Sequence, residues 1–85
     1  MVNKQRKLTA IMFTDIVGYT AIMAEDESKA IDILHRNRDL VTKSVVEHGG
    51  DFIKEIGDVT LSCFDSTLNA VNCAIDIQTK LKDNN

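Results

Sequence analysis

The stretch EHGGDFIKEIGD, Glu47 to Asp58, decides how this chain folds. A helical apolar pattern stops at its front, and an alternating one starts behind. A helix ending at His48 wants a residue of positive φ just beyond it, and Gly49 supplies that cheaply. His48 itself suits the negative end of a helix dipole. The pair Gly49-Gly50 therefore reads as a helix stop rather than a phosphate loop. Asp51–Ile56 and Val59–Phe64 then read as two strands, joined at Gly57-Asp58 in a hairpin.

Working upstream, Leu34, Val41, Val45 and His48, with Ile33, Asn37, Leu40 and Ser44, recur at helical spacing. Asp26 or Ser28 is placed to cap this helix. Glu25–Lys29, Asp32–Arg36 and Lys43–Glu47 decorate its outer face, each worth about 0.2–0.5 kcal/mol. Tyr19–Ala24 predicts a short preceding helix. Before it, LTAIMFT, Leu8 to Thr14, is apolar on both alternating faces. That predicts a strand covered on both sides and central in its sheet, ending at Asp15. Downstream, Asp65 or Ser66 caps a last helix with the stripe Leu68, Val71, Ala74, Ile75, Gln78 and Leu81. The order is β-α-α-β-β-α. Residues 1–85 read as one domain, with 1–6 a leader and 83–85 a frayed end.

Eighty-five residues bury a modest core. A net charge of −3 argues against nucleic-acid or anionic-membrane partners, and the basic run Asn3–Lys7 reads as a solvated leader. Cys63 and Cys73 make neither a disulfide framework nor a zinc site. In their apolar settings they read as small buried hydrophobes, which suits a reducing cytoplasmic location. No stretch reaches transmembrane length and no signal peptide is visible, so no membrane contact is expected in this segment.

Topology brings two acidic residues together. A strand, a helical crossover and a second strand in one sheet run parallel with a right-handed connection. If the third strand inserts beside the first, as in a split β-α-β fold, Asp15 at the first strand's end neighbours Asp58 in the hairpin turn. Adjacent carboxylates repel unless compensated, and Mg²⁺ compensates while leaving room for phosphate oxygens. The intervening IVGYT, with Gly18 and a following helix start, offers backbone N–H groups suited to a polyphosphate. Aspartates at strand ends are also ordinary caps and turn residues. Spacing alone leaves both readings open.

IMFTDIVGYT, HGGDFIKEIGD and FDSTLNAVNCAIDIQ together resemble the first half of a class III nucleotidyl cyclase catalytic domain, from about Lys7 to Gln78. The diguanylate cyclases carry a Gly-Gly motif on a hairpin, whereas here it stops a helix. The resemblance implies an α+β fold of ferredoxin-like or palm type, truncated, with an antiparallel sheet and helices on one face. It implies that Asp15 and Asp58 are catalytic and ligate two Mg²⁺ or Mn²⁺ ions, with the Ile16 carbonyl as a backbone ligand. Val17, Gly18, Tyr19 and Thr20 match a turn that holds β- and γ-phosphates. Lys54 matches the purine-reading position, and a lysine there implies ATP as substrate and cyclic AMP as product. Metal ligands and purine reader of one site come from opposite subunits of a dimer in that family.

The family's transition-state asparagine and arginine have no match in this sequence, so little or no turnover is expected from these 85 residues. A flanking family strand is also missing. The first strand is then expected to form an edge, and a homo-oligomer through residues 8–14 follows. A non-catalytic cyclase-like module for nucleotide binding or dimerisation is the alternative reading. Glu55 is expected to be a solvated strand residue and His35 exposed or structural.

Overall fold

The computed structural model describes residues 9–83. The leader, the expected strand start at Leu8, and Asn84-Asn85 lie outside the described residues. The chain forms β1 (Ala10–Asp15), α1 (Tyr19–Glu25), α2 (Glu27–Glu47), β2 (Asp51–Ile56), β3 (Val59–Phe64) and α3 (Thr67–Asp83). This is the α+β order read from the sequence. Asp83, expected to fray, is still helical.

The sheet order is β1-β3-β2, with β3 antiparallel to both neighbours. β1 and β2 are therefore parallel, and the hairpin's second strand inserts beside the first. Ala10 pairs with Phe64, and Asp15 pairs with Val59. One face of the sheet carries α2 and α3. Val41 and Val45 of α2, Phe64 of β3, and Cys73 and Ile77 of α3 form the buried centre.

Local chemistry sets the element ends. The Asp26 side chain accepts from the Lys29 N–H at 3.1 Å and starts α2. Ser66 Oγ accepts from the Asn69 N–H at 3.2 Å and starts α3. At the end of α2, Gly49 takes φ +75°. Its N–H donates to the Val46 carbonyl at 3.1 Å, and the Gly50 N–H reaches the Val45 carbonyl at 2.8 Å. That is the Schellman arrangement expected of a glycine stop. Gly50 has a second duty: a Cβ there would sit 2.4 Å from the Phe64 ring. The hairpin thus folds back tightly enough for its phenyl group to lie on bare backbone.

A polar seam joins the two long helices. Buried Ser44 donates to Asp76 at 2.7 Å, Lys80 reaches both Asp76 and Glu47 at 3.2 Å, and His48 Nδ1 lies 2.8 Å from the Ser44 carbonyl. Glu47 therefore pairs across to α3, not back to Lys43. Asp32–Arg36 does form, at 3.0 Å.

Three expectations need correction. β1 is not central and covered on both sides: it lies at the sheet's edge, as the absent flanking strand led us to expect, and only its helix-facing side is covered, with Ile11 and Phe13 62% and 66% exposed. Its apolar residues on both faces reflect a second face left bare among the described residues. The α3 stripe is also rotated. Ala70, Cys73, Ile77 and Leu81 pack on the core, while Leu68, Val71 and Ile75 are exposed. The helix is apolar over a wide arc, and periodicity alone did not say which half meets the sheet. The third correction, at Glu55, comes from a bulge described below.

The Gly50–Phe64 contact yields a prediction. Gly50→Ala should cost about 1–3 kcal/mol in urea unfolding, as overpacking does. In a Phe64→Leu background the same change should cost clearly less. Equal costs in both backgrounds would contradict the contact.

Candidate functional site

Asp15 is the last residue of β1, and its register partner Val59 directly follows Asp58. The β1–β3 pairing therefore delivers the two carboxylates to one end of the sheet, close enough to act on each other. That contact, then the negative charge of Asp58, then slight desolvation hold the Asp15 carboxyl above its ordinary value of 3.8, while a hydrogen bond from the Ile16 backbone pulls the other way.

The chain turns immediately after Asp15. The Tyr19 N–H donates to the Ile16 carbonyl at 3.3 Å, and Gly18 takes φ +75° at the start of α1. No side chain caps that start. Val17 stands 94% exposed at the tip of the turn. Residues Val17 to Thr20 thus lie next to the acid pair.

Lys54 occupies a different place. In β2 it pairs with Leu61, which also faces Phe13 across the sheet. Asp15 lies one side-chain row away, on the row of Val59 and Ile56. Two strand spacings and one such step put the Lys54 and Asp15 backbones about 12 Å apart. Both side chains belong to the sheet face that the helices do not cover. The structure brings Asp15 and Asp58 together and leaves Lys54 apart from them within one chain.

A bulge makes this possible. The register passes from Phe52–Ser62 to Lys54–Leu61, so Ile53 has no opposite number. Simple alternation from Phe52 would turn Lys54 toward the helices and Glu55 to solvent. The extra residue reverses both. Glu55 instead lies under α2, with its side chain 20% exposed and paired to Arg38 at 3.6 Å. Its position as a solvated residue is thereby overturned. No feature of single-chain periodicity announces a bulge.

Two further residues border Asp15 and were not singled out from the sequence as part of a site. Asn37 of α2 and Gln78 of α3 line a groove of about 720 Å³ with Asp15, Val17, Leu40 and Leu81. The Asn37 Nδ2 is buried without a hydrogen-bond partner. His35 is exposed, as expected.

The donor set at Asp15 suits a hard cation in part. Two carboxylates and the Ile16 carbonyl offer oxygens, and Mg²⁺ commonly takes only one or two protein carboxylates when a substrate phosphate completes its shell. Among the described residues, no group of three or more His, Cys, Asp or Glu side chains suited to a metal occurs. The fit therefore requires phosphate oxygens from a ligand.

No family model matches the chain. Over 75 residues it is 37% identical to a protein of Rhizobium meliloti (strain 1021) named "Putative adenylate cyclase 3". The alignment covers 87% of this chain and 13% of that protein. Most of the chain is thus similar to one small part of a protein so named, and the chain spans about an eighth of that protein's length. No helix among the described residues is long and apolar enough to cross a membrane.

The raised Asp15 carboxyl gives a signed prediction. Below pH 3.8 both states are protonated and repulsion is absent. As pH rises toward the folded-state value, the unfolded chain ionises first and stability is lost. In EDTA, Asp15→Asn should melt higher than the parent at pH 7, and the gain should fade as pH falls toward 3.8. A difference that does not change with pH would contradict the raised Asp15 carboxyl.

Proposed function

We propose that this chain is the metal- and ATP-binding part of an adenylate-type nucleotidyl cyclase domain. The observation that carries the reading is the contact between Asp15 and Asp58 beside the Ile16–Thr20 turn. The negative charge of Asp58 acts against ionisation of Asp15, and a divalent cation would relieve that repulsion. The identity to a cyclase-named protein over 75 residues supports the same reading.

In this reading Asp15 and Asp58 hold two Mg²⁺ or Mn²⁺ ions with help from the Ile16 carbonyl. When bound, the ions supply positive charge for the triphosphate and acidity for the ribose 3′-hydroxyl, which attacks in line and releases pyrophosphate. Val17 to Thr20 orient the β- and γ-phosphates through backbone N–H groups. Lys54 donates to an acceptor on adenine. Its distance from the acid pair fits a site in which it serves the nucleotide held by a second copy. The 85 residues alone are expected to give little or no cyclic AMP, because the asparagine and arginine implied for the transition state have no counterpart here; such groups are worth several kcal/mol of barrier.

A non-catalytic nucleotide-binding or dimerisation module is the second reading. The small donor set favours it, since two acidic side chains are all that the described residues place at the site. Calorimetric titration of ATP with Mn²⁺ separates the possibilities. The proposal expects metal-dependent binding weakened at least about tenfold, or 1.4 kcal/mol, in Asp15→Ala and in Asp58→Ala. ATP binding that ignores Mn²⁺ or both substitutions would sink it. Sustained cyclic AMP production by the chain would overturn the low-turnover expectation alone.

A further inference from the structure

β2 is held in two registers at once. Asp51 and Phe52 pair with Cys63 and Ser62, while Lys54, Glu55 and Ile56 pair with Leu61, Thr60 and Val59. The bulge at Ile53 absorbs the one-residue difference. Each half has its own anchor. Phe52 packs against the buried core and pins the first half. The turn at Gly57, where φ is +61°, and the Glu55–Arg38 pair at 3.6 Å pin the second.

The second half is an odd choice for stability. If the register of Phe52 ran on to the turn, Ile56 would enter the helix-facing side and Glu55 would leave it. Instead the acid goes under α2, and Ile56 is 55% exposed. One Glu55 oxygen faces Arg38; the other, Oε2, is buried with no hydrogen-bond partner among the described residues. A buried charge pair is a weak source of stability, and an unpartnered buried oxygen subtracts from it. What the arrangement does achieve is the placement of Lys54. In the register of Phe52, Lys54 would lie opposite Thr60, beneath α2. In the observed register it lies opposite Leu61, on the face that carries Asp15.

We propose that Arg38 is a positioning residue for Lys54. By holding Glu55 beneath α2, it fixes the register that turns Lys54 to the ligand side of the sheet. Arg38 belongs to α2, on the covered face, and so meets no nucleotide at Lys54. A cation is required there rather than bulk alone, because without one the buried acid is left uncompensated and is driven toward water. The purpose of the device rests on the reading of Lys54 as the purine contact. The register itself is a property of the chain without any ligand, so the two can fail separately.

Nuclear Overhauser contacts across the hairpin read the register directly, with circular dichroism as a check on folding. The parent should show Lys54–Leu61 and Glu55–Thr60 contacts. Arg38→Met keeps the apolar stem and removes the charge; both contacts should be lost, replaced by Lys54–Thr60 and Glu55–Val59. Arg38→Lys should keep the parent's contacts. ATP with Mn²⁺ should shift the Lys54 ε-methylene signals in the parent and in Arg38→Lys, not in Arg38→Met, while the Ile16–Thr20 amides respond in all three. If Arg38→Met does not fold, Glu55→Ala decides in its place, with the Lys54–Leu61 contact again expected to be lost. Retention of that contact in the deciding variant would show that the turn alone sets the register and would overturn the proposal, as would its loss in Arg38→Lys. A parent whose Lys54 signals ignore ATP while Ile16–Thr20 respond would remove Lys54 from nucleotide reading and overturn the positioning role with it. The hairpin contacts, which need no nucleotide, show which of the two failed.

Discussion

Everything at the candidate site depends on where β3 goes. By inserting between β1 and β2, antiparallel to both, it forces the end of β1 and the hairpin turn to one margin of the sheet. The ladder from Ala10–Phe64 to Asp15–Val59 then fixes the Asp15–Asp58 approach to within a side chain's reach. A one-residue slip would turn Asp15 toward the helices, since strand residues alternate in face. The buried face resists such a slip. Phe64 lies against Gly50, and Thr60 bonds to Thr14, directly across the strands. The register that buries the core is the register that brings the two acids together.

Much of this could be read from residues alone. The glycine stop after α2, the hairpin bounds, the Asp26 cap and the meeting of Asp15 with Asp58 follow from turn chemistry and the handedness of crossovers. Those features are local, or depend on one topological rule. The misreadings share another cause. Which half of α3 meets the sheet, whether β1 is covered on one face or two, and which way Glu55 points all depend on partners outside the element. A wide apolar arc on a helix, or apolar residues on both faces of a strand, reports how much surface avoids water. It does not report what covers it. At Glu55 a single bulged residue inverted the alternation, so an expectation based on period two failed by one place.

The bulge also ties structure to chemistry. It puts Lys54 on the uncovered face with Asp15 and seats Glu55 against Arg38 beneath α2. A helix-facing row of Thr14, Thr60 and Glu55 crosses the sheet just inside the acid pair. The Asp15–Asp58 repulsion is a local cost, carried by the packing around Phe64.

The central claim is that Asp15 and Asp58 jointly bind a divalent ion with a nucleotide's phosphates. Paramagnetic broadening of backbone amide signals by substoichiometric Mn²⁺ in the presence of ATP tests it directly. The account predicts that Ile16 to Thr20 and Gly57 to Val59 lose intensity first, and that signals at the Phe64 end of the sheet persist. Broadening centred on any other acidic cluster, such as Glu47 and Asp76, or spread evenly over the surface, would contradict it.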